Sequence, residues 1–458
     1  MTSNYRVLTA VALIAAVAAS VWASDSLHWT DPTPVSTDTS SPMYQWTPTL
    51  AGRDTVLWCT WFERRSPGPK YLKLARHDGS NWRPPDSVFL TDSGGRGPGR
   101  AVSILDQEKL PWVAFDFYAP PDSVFTLYTR FTGDSWTRPE MLAEDTAYWG
   151  RYHSLCATNT EAVVAAWVRE GPVLTNYLYV SEHSADSWST PTLVDSFPGY
   201  MVQYQTAVAP LDDSLRVVVW SCMRDGGNLD LYFSVGAAQE WTEPRPVVSV
   251  DPIADEFPRL SEGVAGTVML VWRRGAGVYS ARFDGSSWVD VLEVESSVDE
   301  LGFSTCVDDG GRLWATLAAT DSTDRSGRVR AYEGSRWSAP MTGPPDSATT
   351  TWEFASAFGQ LHVAWLRMES PHKWTIYWSG ANFPGVQERN SIEVKRWTGP
   401  TILRAPELVR FEGRILDITG REVTDRTALR PGVYFLRTER SSGPVPQWSS
   451  VRKVILTR

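Results

Sequence analysis

Apolar and polar positions alternate in short runs along this chain, and glycine, proline, asparagine and aspartate interrupt the runs every few residues. Residues 110–117 read LPWVAFDF and residues 124–131 read VFTLYTRF. Runs of this length, rich in β-branched and aromatic residues and bounded by turn formers, predict strands. Around the first of them the pattern predicts four strands, near 100–105, 110–117, 124–131 and 135–142. No comparable stretch repeats at the helical period, so the fold class is all-β.

The strands come in a repeat. A turn followed by tryptophan recurs as GSNWRPP at Trp82, GDSWTRP at Trp136, ADSWSTP at Trp188, AQEWTEP at Trp241, GSSWVDV at Trp288 and GSRWSAP at Trp337. The spacings are 54, 52, 53, 47 and 49 residues. A second motif, an apolar strand carrying tryptophan, occurs seven times, at Trp58, Trp112, Trp167, Trp220, Trp272, Trp314 and Trp365. The seventh turn motif lies at the other end of the chain. LHWTDPTPV around Trp29 matches EWTEPRPVV around Trp241, and Trp29 lies 53 residues before Trp82. Four antiparallel strands per unit of about 50 residues make a propeller blade. The displaced motif makes the N-terminal segment the outer strand of the last blade. The sequence therefore predicts a seven-bladed β-propeller over residues 24–385, closed by its N-terminal strand. The strand tryptophans are expected between blades, and the turn tryptophans are expected to pin the outer strands.

The turn motif is similar in outline to the Asp-box of the sialidase repeat, which places an aspartate five residues before the tryptophan. Here His77, Phe131, His183, Gly236, Phe283 and Tyr332 take that place. The resemblance implies a propeller and does not carry over sialidase chemistry. That family uses three arginines, a Tyr–Glu pair and an acidic aspartate, and no such constellation is legible here.

Beyond residue 385 the pattern changes. Residues 386–407 lose the tryptophan period and read as a linker or connecting strand; FEGRILDITGREVTD, LRPGVYFLRTE and VRKVILTR follow, with turns at Thr419-Gly420-Arg421 and Arg430-Pro431-Gly432. Residues 401–458 hold eleven Lys or Arg against six Asp or Glu, in a chain whose net charge is −10. This asymmetry marks a separate module. Residues 408–458 resemble the C-terminal sorting domain of type IX secretion substrates, with the motif positions at Asp417, Gly420, Arg421 and Val423, at Leu429, Gly432, Tyr434 and Arg437, and at Lys453, Val454 and Ile455. The resemblance implies a small β-sandwich-like module, secretion machinery as a partner, and export across an outer membrane with cleavage or surface attachment.

The N-terminus agrees with export. Arg6 precedes an apolar run from Val7 to Val21, and Val21-Trp22-Ala23 offers a small-residue cleavage site, so residues 1–23 read as a signal peptide. The run is too short to span a bilayer comfortably, and no integral membrane span is expected elsewhere. Secretion or cell-surface attachment is the expected location. The acidic balance argues against a nucleic-acid partner. Cys59, Cys156, Cys222 and Cys306 lie in different repeats without CxxC spacing, and read as small buried core residues. Six dispersed histidines give no ligand cluster, so neither metal nor cofactor is implied.

Candidate chemistry concentrates at the starts of the first strands, which should face the central channel. These carry Gln45 and Trp46, Arg100, Trp149 and Arg151, Gln203 and Tyr204, Phe257 and Arg259, and Trp352 and Glu353. Flat aromatic faces with Arg and Gln donors suit a sugar, a peptide or an acidic group. No motif for a nucleophile elbow, zinc protease or P-loop is present. The expected function is a non-catalytic binding propeller for glycan or protein. A sialidase-like glycoside hydrolase and a structural display protein are the alternatives.

Overall fold

A computed structural model describes residues 27–35 and 43–382, apart from 66–67, 92–96, 120–122, 143–149, 159, 161, 172–174, 185–186, 199–204, 225–226, 238, 263–266, 299–301, 318–326, 345–351 and 371–372, together with the strands 402–404, 414–416, 432–440 and 447–457. The proposed signal segment, residues 1–23, lies outside the described residues. The chain divides into two compact units, Met1–Val386 and Gln387–Arg458.

Within the first unit the described residues form seven antiparallel sheets, six with their strands in chain order and the seventh taking its outer strand from the N-terminal segment. Blade 1 runs Met43–Arg53, Val56–Arg65, Lys70–His77 and Asp86–Thr91; blade 2 runs Gly97–Leu105, Pro111–Ala119, Ser123–Arg130 and Glu140–Met141. Blade 3 has Gly150–Ala157, Val163–Glu170 and Thr175–Ser184 with outer segments Ser187–Trp188 and Thr192–Pro198. Blade 4 has Thr206–Pro210, Arg216–Cys222 and Asp230–Ala237 with Glu240–Trp241 and Arg245–Pro246. Blade 5 is Asp255–Glu262, Val268–Arg274, Gly277–Phe283 and Trp288–Glu295; blade 6 is Phe303–Val307, Leu313–Leu317, Arg328–Ala331 and Met341–Thr342. Blade 7 is Trp352–Ala357, Gln360–Ser370 and Lys373–Asn382. Each blade's innermost strand touches those of its neighbours, including that of blade 7 against that of blade 1. This unit is a closed seven-bladed propeller.

The N-terminal segment completes blade 7. His28 and Trp29 pair with Asn382 and Ala381, and Thr33 and Pro34 pair with Trp378 and Tyr377. Trp29 also donates its indole N–H to the Thr342 carbonyl of blade 6 at 3.0 Å. One short segment thus hydrogen-bonds to two blades.

The strand tryptophans occupy two positions rather than one. Trp58, Trp112 and Trp314 pair with Arg76, Arg130 and Ala331. Trp61, Trp167, Trp220, Trp272 and Trp365 stand three residues further along, opposite Lys73, Tyr179, Tyr232, Tyr279 and Tyr377. An offset of three reverses the face of a strand. Trp58 accordingly packs toward blade 2, beside Ala101 and Phe115, while Trp61 packs toward blade 7, beside Ala355 and Ala364. A single repeated motif in the sequence therefore resolves into two sets of wedges, pointing forward and backward around the ring.

The turn tryptophans also do more than hold the outer strand. Each is bridged to the residue five before it: His77 to Trp82, Phe131 to Trp136, His183 to Trp188, Gly236 to Trp241, Phe283 to Trp288 and Tyr332 to Trp337. The place of the Asp-box aspartate is thus a ladder position in this chain. A Cβ at Gly236 would lie 2.5 Å from the Trp241 ring, which explains why that partner is glycine. The capping work of an aspartate shifts by one residue in blades 1 and 5, where Asp78 and Asp284 accept N–H groups from their own turns. Those bonds hold the Asp284 carboxyl down at about 2. From this anchorage the ring reaches the preceding blade. Trp136 meets Trp58 edge-on at 5.7 Å, and Trp188 meets Trp112 edge-on at 6.2 Å. Such pairs contribute roughly 0.5–1.5 kcal/mol beyond their buried area.

The cysteines are free thiols, three of them buried and Cys306 half-buried. Burial pushes Cys156 and Cys222 up to about 12, so they pack as neutral apolar groups.

The described part of the second unit is one four-stranded sheet, in the order Ile402–Arg404, Gln447–Thr457, Gly432–Arg440, Arg414–Leu416. Ile402–Arg404 pairs in parallel with Ile455–Thr457, so the stretch 386–407 contributes an edge strand as well as a connection. Gly432, Tyr434 and Lys453 lie in the central hairpin, opposite Leu456, Val454 and Phe435. Asp417, Gly420 and Arg421 lie outside the described residues.

Candidate functional site

The seven innermost strands enclose a cavity of about 260 Å³ on the ring axis. Of the residues the sequence nominated, Arg100, Arg259 and Glu353 line it together. They come from blades 2, 5 and 7, so two guanidinium groups and one carboxylate converge from three directions. Trp149, Gln203 and Tyr204 lie outside the described residues; Arg151 and Trp352 are placed on their strands by backbone alone, opposite Val168 and Trp365.

Gln45 and Trp46 are not in this cavity. The Gln45 side chain is buried at 2% exposure, where Nε2 donates to Glu63 Oε2 at 3.3 Å and Oε1 accepts from the Ile376 N–H at 2.9 Å. Trp46 packs on Phe62, ring centres 5.8 Å apart, in the apolar layer between blades 1 and 2. Phe257 is likewise buried in the layer between blades 5 and 6. The cause is a bulge. The register slips between Trp46 and Thr49, between Pro98 and Ala101, between Arg151 and Ser154, and between Glu256 and Arg259. One extra residue reverses which face the flanking side chains take. The bulge thus resets which side chains reach the axis: Gln45, Trp46 and Phe257 fall into the blade interfaces, while Arg100 and Arg259 reach the cavity. Thr47 and Phe257 carry the strain as positive φ values of 47° and 55°. In blade 2 the bulge holds Gly99, whose Cβ would lie 2.7 Å from the Tyr118 ring, and Arg100 follows it.

Sequence reasoning missed the rest of the lining. Thr49, Ser103, Ser154, Thr206, Ser304 and Thr305 all contribute to the wall. Several are linked between blades: Thr49 to Ser103 at 2.7 Å, Ser154 to Thr206 at 3.2 Å, and Ser261 to Thr305 at 3.0 Å. Their ladder positions differ from blade to blade, with Thr49 opposite Thr60, Ser103 opposite Val113 and Thr206 opposite Trp220, so no fixed spacing in the sequence announces them. His153, from blade 3, is buried with Nδ1 3.0 Å from Asp116 and Nε2 2.9 Å from the Ala114 carbonyl. Both ring nitrogens are engaged there, so it joins blade 3 to blade 2.

Glu353 is the electrostatic centre. Burial raises its carboxyl above the usual range, while Arg259, Arg100 and a hydrogen bond with Ser304 pull the other way. Desolvation penalises the charged form, and here it outweighs both guanidiniums. The site can therefore offer two cations, a ring of hydroxyls and one carboxyl group that is reluctant to ionise. Among the described residues no group of three or more His, Cys, Asp or Glu could hold a metal ion, and no helix is long and apolar enough to cross a membrane.

No protein-family profile matches the chain. No curated protein matches it either. Among solved structures it is similar to the BP39L lectin from Burkholderia pseudomallei, at 14% identity and TM-score 0.49 over 72% of this chain and 98% of that one. It is also similar to an ulvan lyase, at 11% identity and TM-score 0.47 over 77% and 94%. A Hadza microbial sialidase aligns at 12% identity and TM-score 0.46 over 76% and 67%.

Proposed function

We propose that this protein is an exported, non-catalytic propeller that captures an acidic glycan at the mouth of its axial channel. The observation that carries the reading is the convergence of Arg100 and Arg259 on one hydroxyl-lined cavity with a Glu353 whose carboxyl resists ionisation. Guanidinium groups in a partly dry site bind a carboxylate through charge-assisted hydrogen bonds. Hydroxyls of a sugar are matched by the Thr and Ser wall, since each hydroxyl both donates and accepts. In its neutral form, which burial favours, Glu353 adds a donor without repelling the ligand. Common glycosidases need two carboxyl groups flanking the scissile bond; the described lining presents one, which favours capture over cleavage.

The address follows from the two ends. The signal-like start directs the chain out of the cytoplasm, and the C-terminal unit, with Gly432, Tyr434 and Lys453 on its hairpin, engages outer-membrane secretion machinery. The propeller then works outside the cell or on its surface.

The test is one incubation of the full mature chain with uronate-containing and neutral polysaccharides, recording retention and released reducing ends together. Retention of the acidic polymers without release, lost in the double variant Arg100→Ala, Arg259→Ala, is the expected result. Released ends would make the protein a hydrolase or lyase. Equal retention of the acidic polymers by the double variant would remove the axial site from the function, and no retention at all would favour a display role.

A further inference from the structure

A second cavity, of about 270 Å³, opens between blades 3 and 4, away from the axis. Its origin can be traced to two residues. At the position six before each turn tryptophan, the second strand opposes it with Trp58 in blade 1, Trp112 in blade 2 and Trp314 in blade 6. Blade 3 has Val164 there, opposite Glu182. Eight before the turn tryptophan, blade 2 has Tyr128 and blade 4 has Phe233, both buried; blade 3 has Val180. Where Trp136 and Trp188 each meet an aromatic edge, Trp241 faces two valines, and both line the cavity. A jigsaw-packed interior rarely leaves such a gap.

The gap is also charged. Position 182 is arginine in the corresponding place of blades 1, 2 and 5, at Arg76, Arg130 and Arg282, but glutamate in blade 3. Opposite it stands Arg216, only 3% exposed, with Nη2 3.6 Å from Glu182 Oε1. Nη1 of Arg216 is held by the carbonyls of Asp212 and Leu215 at 3.1 and 3.0 Å, which fixes the guanidinium in place, while its Nε is buried without a partner. The cavity therefore combines an indole, an apolar floor, and a donor-only group beside an acceptor-only group with no net charge between them.

We infer that this interblade cavity is a binding site for one neutral sugar ring. The apolar C–H face of a pyranose lies against Trp241 and the valine floor, as flat apolar faces do on aromatic rings. Two vicinal hydroxyls bridge the ion pair, accepting from Arg216 and donating to Glu182. An anionic sugar would meet the Glu182 carboxylate, so this site and the axial one select different residues of a glycan.

The test uses the full mature chain and simple methyl glycosides of neutral hexoses and 6-deoxyhexoses, with binding measured by calorimetry. Val164→Trp rebuilds the wedge of blades 1 and 2 and should fill the cavity. Glu182→Gln keeps the shape and removes the acceptor charge. Binding to the unaltered protein, weakened at least tenfold in both variants and unchanged in Arg100→Ala, Arg259→Ala, is the expected outcome. Should Val164→Trp fail to fold, Glu182→Gln alone decides. The inference is overturned if no neutral glycoside binds, if Glu182→Gln binds as tightly as the parent, or if the axial double variant abolishes binding. Acidic-polymer retention that survives the axial double variant, with neutral-sugar binding intact, would instead strike only the axial proposal.

Discussion

Gln45 and Ile376 lie 331 residues apart and are joined by a hydrogen bond of 2.9 Å, from the Ile376 N–H to the Gln45 amide oxygen. The Ile376 carbonyl accepts from Val35 at 2.9 Å, so this one peptide stretch of blade 7 is held by blade 1 and by the N-terminal segment together. Gln45→Leu leaves both the Ile376 N–H and the Glu63 carboxylate without this partner in a buried place. Unsatisfied buried groups cost about 1–3 kcal/mol each, so a loss of roughly 2–4 kcal/mol in unfolding free energy is expected. Denaturant titration measures it. Retention of acidic polymers should survive, which separates Gln45 from Arg100 and Arg259; an unchanged midpoint would show that the tie carries no weight.

Glu353 gives the axial site a pH dependence with a definite sign. Its carboxyl titrates above the ordinary range because of burial. At low pH it is neutral and donates to an anionic ligand. As pH rises through the raised value it becomes a carboxylate and repels that ligand, so affinity for an acidic oligosaccharide should fall by roughly tenfold, about 1.4 kcal/mol. Glu353→Gln should bind with a flat profile over the same window. A profile that rises with pH in the parent, or falls equally in the variant, would contradict the assignment.

His362 should make the ring acid-sensitive. It is fully buried in blade 7, stacked on Trp378 at 5.7 Å, and burial lowers it to about 4. The Trp378 indole donates to Nδ1 at 3.2 Å and Nε2 lies 3.0 Å from the Ala357 carbonyl, so the neutral tautomer with a proton on Nε2 fits both bonds. Below the unfolded value near 6.5 the unfolded chain takes up a proton that the folded one refuses. Stability is therefore complete above that value and declines as pH falls toward 4, by about 3 kcal/mol for this group alone. Urea midpoints of the parent and of His362→Gln should converge as the pH is lowered; parallel curves would exclude this histidine as the cause.

The ring was legible because tryptophan marks its turns. Six turn tryptophans at near-constant spacing and a seventh at Trp29 contain both the blade number and the closure, since each must bridge to its own third strand. Arg100, Arg259 and Glu353 were legible as polar strand starts. Gln45 and Trp46 looked the same and went elsewhere, because a bulge has no composition of its own and one inserted residue reverses the faces. The division of strand tryptophans into forward and backward wedges was hidden for a related reason: Trp58 and Trp61 occupy one strand, and only the pairing with Arg76 and Lys73 separates them. The gap at Val164 and Val180 is a pair of ordinary strand residues until the neighbouring interfaces are superposed on it.

The seam of blade 7 also fixes how the ring responds to force. His28 and Asn382 face each other at the same end of their ladder. Tension applied through the two ends of the propeller chain would part His28 from Asn382 first, then Trp29 from Ala381, loading one bonded pair at a time, as a zip opens. The middle strands of the other blades are bracketed by covalently continuous neighbours and would feel that load only after the seam had parted. The ring is mechanically weakest where its two ends meet, and an attachment made on one side alone leaves that zip unpulled.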